Sequence, residues 1–252
     1  MKRFEPVLKA VVLAGLALMF YAKISDGTLT FYINARFAWL SFVAVLIFAA
    51  LAMTLVYQIT ERRRAEQMNE REHERIPLLV NGRKLSWAGV AIMAIPMLLG
   101  LIVPARPLGA SAVSSRGIGL NAPDRPGTAK GSQNAQSGPK NVLDWLRDFG
   151  SNADPASFKG QAVDVTGFVY RDPRNGTEQF WVSRFTISCC VADATAIGML
   201  VQTAQAASLK NDSWVHVTGK LDVGEFAGEK VPMILPDKIS PTDQPQNPYL
   251  YP

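Results

Sequence analysis

The sequence predicts an α+β protein in which N-terminal transmembrane helices precede a small soluble β-barrel domain. Three observations predict it. Apolar residues crowd the first 105 of 252 positions. A stretch rich in Gly, Ser, Asn and Pro follows. Beyond residue 160, apolar and polar residues alternate in short runs that end in turn residues. The first pattern belongs to helices in lipid, the second to linkers and the third to strands with one buried face.

Three apolar runs cover residues 7–24, 37–59 and 85–103. A helix needs about 20 apolar residues to cross a bilayer. The second run carries no charge between residues 37 and 57. The first holds Lys9 near its start, within snorkelling reach of headgroups. Lys2 and Arg3 before it also fit a signal peptide, but its exit, Phe20-Tyr21-Ala22-Lys23, offers no small-x-small cleavage site. The expectation is therefore an uncleaved anchor. The third run has Pro96 in its middle, which a membrane helix tolerates when neighbours satisfy the freed carbonyl. Arg83, Lys84 and Arg106 flank it, favouring a span over a buried core helix.

Basic residues set the expected orientation. Lys2, Arg3 and Lys9 mark the N-terminus, and only Lys23 and Arg36 mark the first loop. The second loop carries Arg62, Arg63, Arg64, Arg71, Arg75, Arg83 and Lys84. The positive-inside rule then puts the N-terminus and second loop in the cytoplasm and the C-terminal domain outside it. Glu61, Glu66, Glu70, Glu72 and Glu74 alternate with these arginines, so the second span is expected to continue as a solvated helix. His73 lies in this mixed-charge stretch and reads as an ordinary exposed residue. The net charge of +5 sits largely beside the apolar runs, which speaks of membrane orientation rather than nucleic acid.

Residues 106–140 read as a flexible linker, too polar to offset their own ordering entropy. The soluble domain then covers residues 141–252. It opens with a short helix, for which Asn141 is the N-cap. Strands are expected at 161–171, 179–190, 197–203, 213–223 and 230–239, with a helical stretch at 204–210. Five strands with a helix between the third and fourth give the order of an OB-like barrel. Gly167 and Gly219 fall mid-strand, where tight curvature needs a bulge. An SH3-like barrel and a small sandwich remain open alternatives.

Several short stretches fall into a recognisable order. They are Pro104-Ala105-Arg106-Pro107-Leu108-Gly109, Arg116-Gly117-Ile118, Gly167-Phe168-Val169-Tyr170 and the tail Asn247-Pro248-Tyr249-Leu250-Tyr251-Pro252. The most specific is Arg184-Phe185-Thr186-Ile187-Ser188-Cys189-Cys190-Val191-Ala192-Asp193-Ala194. Together they resemble the YcgQ-type family of bacterial membrane proteins, described as subunits of a two-component permease. The resemblance covers nearly the whole chain. It implies a multi-pass protein of the bacterial cell membrane that works with a separate, larger multi-span permease protein.

The only two cysteines, Cys189 and Cys190, are adjacent, so they form no disulfide framework. In a regular strand their side chains point to opposite faces, whereas at a strand end they can converge. Three states then stand open: a soft-metal site, a strained vicinal disulfide, or plain thiols. Two thiolates supply half of a tetrahedral zinc site, with Asp193 and His216 as candidate further ligands. Asp193 also fits as the cap of the following turn. Arg184 fits either an ion pair across the barrel or a solvated strand position. No Ser-His-Asp order, HExxH, phosphate-binding Gly loop or dinucleotide fingerprint is present, and the expectation is a non-enzymatic subunit whose outer domain docks, gates or hands over a solute or metal ion. The alternative is a membrane-anchored thiol redox protein, against which the missing Cys-x-x-Cys spacing counts. A nucleic-acid binder lacks its basic, aromatic-studded surface run.

Overall fold

The computed structural model describes residues 4–69, 87–120, 140–151 and 154–252. The chain divides into two compact units. One comprises Met1–Thr30 and Ala35–Arg106, the other Phe31–Asn34 and Pro107–Pro252.

The first unit is helical: α1 spans Phe4–Ser25, α2 Trp39–Asn69 and α3 Trp87–Ile102. Two segments, Pro6–Ser25 and Ala35–Ala65, are long and apolar enough to cross a membrane. Only 17% and 6% of their apolar windows are buried within the molecule, unlike a core helix of a soluble domain. At 1.5 Å per residue, α2 is about 46 Å long, beyond the ~30 Å hydrocarbon thickness. It continues ten residues past the expected span end at Ile59, as its alternating charges predict. The third run forms a 16-residue helix containing Pro96, about 24 Å long by the same rise. The rest of the second loop, His73 included, lies outside the described residues, as do positions 85 and 86 of the expected third span.

Helices α1 and α2 pack against each other, with Phe20 and Phe48 stacked at 6.0 Å. Ala10, Ala17 and Ala52 are among the buried residues of this unit. Small side chains let apolar helices approach closely in lipid, where no hydrophobic force drives them together. Gly100 serves the α1–α3 contact in the same way: a Cβ there would lie 2.7 Å from Met19 Sδ.

The second unit contains α4 (Ala110–Arg116), α5 (Val142–Ser151) and six strands. The strands are β1 (Ala162–Tyr170), β2 (Gln179–Thr186), β3 (Thr195–Gln202), β4 (Trp214–Phe226), β5 (Glu229–Pro241) and β6 (Tyr249–Leu250). Their order is β1-β4-β5-β3-β2-β6, and β1 also pairs with β2. Pairings are antiparallel except β3–β5 and β2–β6. β1 lies against Trp181, Val182 and Ser183 of β2, and β6 takes over at Phe185 and Thr186. Asn141 caps α5 as expected, its Oδ1 accepting from the N–H groups of Leu143 (2.8 Å) and Asp144 (3.2 Å).

Both faces of the sheet are covered. On one, Val142, Leu143 and Leu146 of α5 pack with Phe180, Val182, Val217 and Ile234. On the other, Val113 of α4 packs with Phe168, Trp181, Phe185 and Tyr249. With both faces covered, every residue of Phe180–Thr186 is buried, the polar Ser183, Arg184 and Thr186 included, so the strand shows no in–out alternation. The mid-strand glycines are obligatory. A Cβ on Gly219 would lie 2.2 Å from the Leu235 carbonyl oxygen, at a register shift between β4 and β5. One on Gly167 would lie 2.6 Å from the Ser183 carbonyl oxygen.

Two expectations need correction. The linker does not begin at residue 106: Pro107 onward belongs to the sheet unit, and Val113 of α4 is fully buried. A single valine among Ala and Ser anchors this helix, so composition hides it. Gly119 continues the docking by bridging to Ile197. Residues 121–139 of the expected linker lie outside the described residues. The second correction concerns the first loop, four residues of which, Phe31–Asn34, are built into the sheet unit.

Candidate functional site

Strand β2 leaves its ladder at Thr186. Ile187 stays buried, then Ser188 and Cys189 turn out to solvent and Cys190 is half-buried. A single 3-10 turn, Val191–Asp193, returns the chain to β3. Asp193 shapes this loop. Its carboxylate accepts from the backbone N–H groups of Cys189 (2.7 Å), Ser188 (2.9 Å) and Cys190 (3.4 Å). Burial raises the Asp193 carboxyl, but hydrogen bonds from the Cys189 thiol and these N–H groups outweigh it and hold the acid below its usual range.

The convergence that a strand end permits is realised. The two sulfurs lie 3.6 Å apart as free thiols. Both lie within 4.8 Å of an Asp193 carboxylate oxygen. The Cys189 thiol is pushed up to about 11, first by its hydrogen bond to Asp193 and next by Cys190. Uncomplexed Cys189 is therefore held protonated, the opposite of an activated redox cysteine.

His216 stands elsewhere. It sits on β4 with Nε2 2.5 Å from Asp164 Oδ1 on β1, a diagonal cross-strand pair. The structure thus brings together Cys189, Cys190 and Asp193, and not His216. Arg184 is neither ion-paired across the sheet nor solvated. It is 7% exposed, donates to the carbonyls of Asn247 (2.9 Å) and Thr166 (3.3 Å), and lies over the Trp214 ring. Burial lowers its pKa to about 10. Its work is to pin the C-terminal tail, whose β6 pairs alongside the base of the cysteine loop.

Further residues hold the loop that the sequence reading did not single out for this role. Ile33 bridges to Cys190. The Asn34 N–H donates to the Cys189 carbonyl (2.9 Å), and Asn34 Nδ2 donates to the Ser188 carbonyl (2.9 Å). The Val191 N–H donates to the Tyr32 carbonyl (2.9 Å). Arg116 Nη1 donates to the carbonyls of Ala194 (2.7 Å) and Val191 (3.1 Å). The Tyr249 hydroxyl links Phe31 and Leu108, donating to the carbonyl of the first (3.1 Å) and accepting from the N–H of the second (2.9 Å). Arg116 and Tyr249 fall inside stretches already notable for their resemblance. Tyr32 and Asn34 carry no comparable signal, since a short loop between two apolar runs looks like a mere connection.

These loop-holding residues lie within the two regions of the chain that match family models. Residues 8–119 match the DUF1980 N-terminal domain, and residues 123–252 match the DUF1980 C-terminal domain. The chain belongs to the DUF1980 family. A Streptococcus mutans serotype c protein named "Putative two-component membrane permease complex subunit" is 26% identical, over 97% of this chain and 99% of its own length. "UPF0703 protein YcgQ" of Bacillus subtilis (strain 168) is 24% identical over the same shares. The YcgQ-type resemblance read from the motifs agrees with these matches. The boundary between the two family domains falls at residues 119–123, just after Gly119 docks on β3.

Proposed function

We propose that this chain is the non-enzymatic membrane subunit of a two-component permease in a bacterial cell membrane, and that its sheet unit acts outside the cytoplasm. Helices α1, α2 and α3 cross the bilayer three times. The closed succession of pairings, β1-β4-β5-β3-β2 and back to β1, is read as an OB-like barrel that docks, gates or hands over the cargo. The partner is a larger multi-span permease protein.

The observation that carries this reading is the hydrogen-bonded tie between Phe31–Asn34 and the cysteine loop. These four residues lie midway in the connection from α1 to α2, so a rearrangement of the helices reaches the loop through the covalent chain. A domain that merely hung from an anchor would need no such tie. The relatives' naming and the two long apolar helices support the membrane part of the reading.

Two measurements test it. In a Cys189→Ser/Cys190→Ser background, a cysteine placed at exposed Glu178 should react with a membrane-impermeant thiol reagent in intact cells. Labelling only after lysis reverses the orientation. Cross-linking in native membranes, followed by mass spectrometry, should recover a protein with many spans. Recovery no greater than with an unrelated three-span control removes the permease partner.

A further inference from the structure

We propose that Cys189, Cys190 and Asp193 form a binding site for one thiophilic divalent cation of the zinc class. The sulfur separation is the first argument. Two thiolates on a tetrahedral zinc, at about 2.3 Å each, stand ~3.8 Å apart. The free thiols already stand at 3.6 Å, so the loop needs little rearrangement to grip the ion.

Asp193 supplies the third ligand. A carboxylate offers about four lone-pair directions. Backbone N–H groups of Ser188, Cys189 and Cys190 occupy three of them, which leaves one for a metal, and the carboxylate lies within 4.8 Å of both sulfurs. Among the described residues no fourth His, Cys or carboxylate joins the group. These three ligands leave one position of a tetrahedral ion unfilled by the described residues, the arrangement that lets a metal exchange ligands rather than remain locked in a closed structural site.

The site is built before the ion arrives. Asp193, Asn34, Tyr32 and Arg116 hold the loop backbone through separate hydrogen bonds. Such preorganisation reduces the ordering cost of binding. Binding is an exchange: two S–H bonds break, two metal–sulfur bonds form, and two protons pass to solvent. No redox step is involved. That the ion serves transport, as cargo or as trigger, rests on the permease reading, whereas its binding does not.

The test uses the full chain in detergent, freed of metal and reduced. Cd2+ is titrated by its thiolate charge-transfer absorption and Zn2+ by competition with a chromophoric chelator. One equivalent of either ion should bind. Cys189→Ser and Cys190→Ser should each weaken Zn2+ by about 100-fold or more, and Asp193→Asn by ~10–100-fold. One equivalent of Zn2+ should also protect both thiols of the unmodified chain from alkylation, a readout that needs no variant to fold. Zn2+ affinity unchanged in the double serine variant overturns the proposal, as does full alkylation in the presence of excess Zn2+. Failure here leaves the partner cross-link intact, and loss of that cross-link leaves the metal titration intact.

Discussion

In α1 and α2, Leu18, Leu46 and Met53 leave two-thirds or more of their surface open, while in the sheet unit Phe180, Trp181 and Leu200 are 0–1% exposed. The same kinds of side chain face opposite surroundings. In the sheet unit, water drives apolar groups inward, and both faces of β2 are sealed. In the helices, a lipid solvent would make outward-facing apolar groups costless, so contact between helices relies on close fit. The difference teaches that a substitution's cost here depends on which solvent its side chain avoids, rather than on its hydrophobicity.

The largest expected effect lies in the sheet unit. Phe180 is fully buried between β2 and α5. Phe180→Ala should cost about 3–5 kcal/mol through lost transfer energy and the cavity left behind. Denaturant unfolding of the full chain in detergent, followed by near-ultraviolet circular dichroism, measures it. A cost below about 1 kcal/mol would mean that this core is loosely packed, and the contrast with the helices would fail.

Much of this contrast was legible in the residues. The apolar runs, the alternation around Val163 and Val165, the Asn141 cap and the mid-strand glycines each report on their own neighbourhood. Strand boundaries followed within a few residues for the same reason. What stayed hidden depends on contacts distant in sequence. Val113 looks like one apolar residue in a polar stretch, and only Phe168 and Phe185 on the facing sheet give it meaning. Asn34 looks like a loop polar residue until the Cys189 carbonyl is placed beside it. At the cysteines, adjacency and the nearby carboxylate were visible, but Asp193 caps no following turn: it ends the turn Val191–Asp193 and its carboxylate reaches back to the N–H groups of Ser188, Cys189 and Cys190. His216 was not separable from the group by spacing, because its partner Asp164 is a cross-strand neighbour.

An intermediate effect is expected where helices meet. Ala52 on α2 is 8% exposed. Ala52→Leu adds three carbons to a contact that relies on small side chains, and overpacking of this kind costs about 1–3 kcal/mol. Unfolding in mixed detergent micelles with rising denaturing surfactant should show the loss in helical signal. The near-ultraviolet signal of the sheet unit should melt at an unchanged midpoint. A larger side chain accepted without cost would remove close packing as the basis of this contact.

The smallest effect sharpens the comparison most. Leu46 on α2 is 69% exposed, so it has little packing to lose. Leu46→Ala removes apolar surface that, in water, would already be a liability and, in detergent or lipid, meets a solvent as apolar as itself. No cavity forms, and Ala has the higher helix propensity. The change in stability of the isolated chain should therefore stay within about 0.5 kcal/mol, the range of surface substitutions away from special features. Measured beside Ala52→Leu in the same micelles, Leu46→Ala should be silent and Ala52→Leu costly, though both change an apolar side chain by three carbons, six positions apart on one helix. A Leu46→Ala cost above about 1 kcal/mol in the isolated chain would contradict a solvent-facing Leu46. The same substitution weakening the cross-link to the permease partner, with isolated stability unchanged, would instead locate that partner on this face of α2.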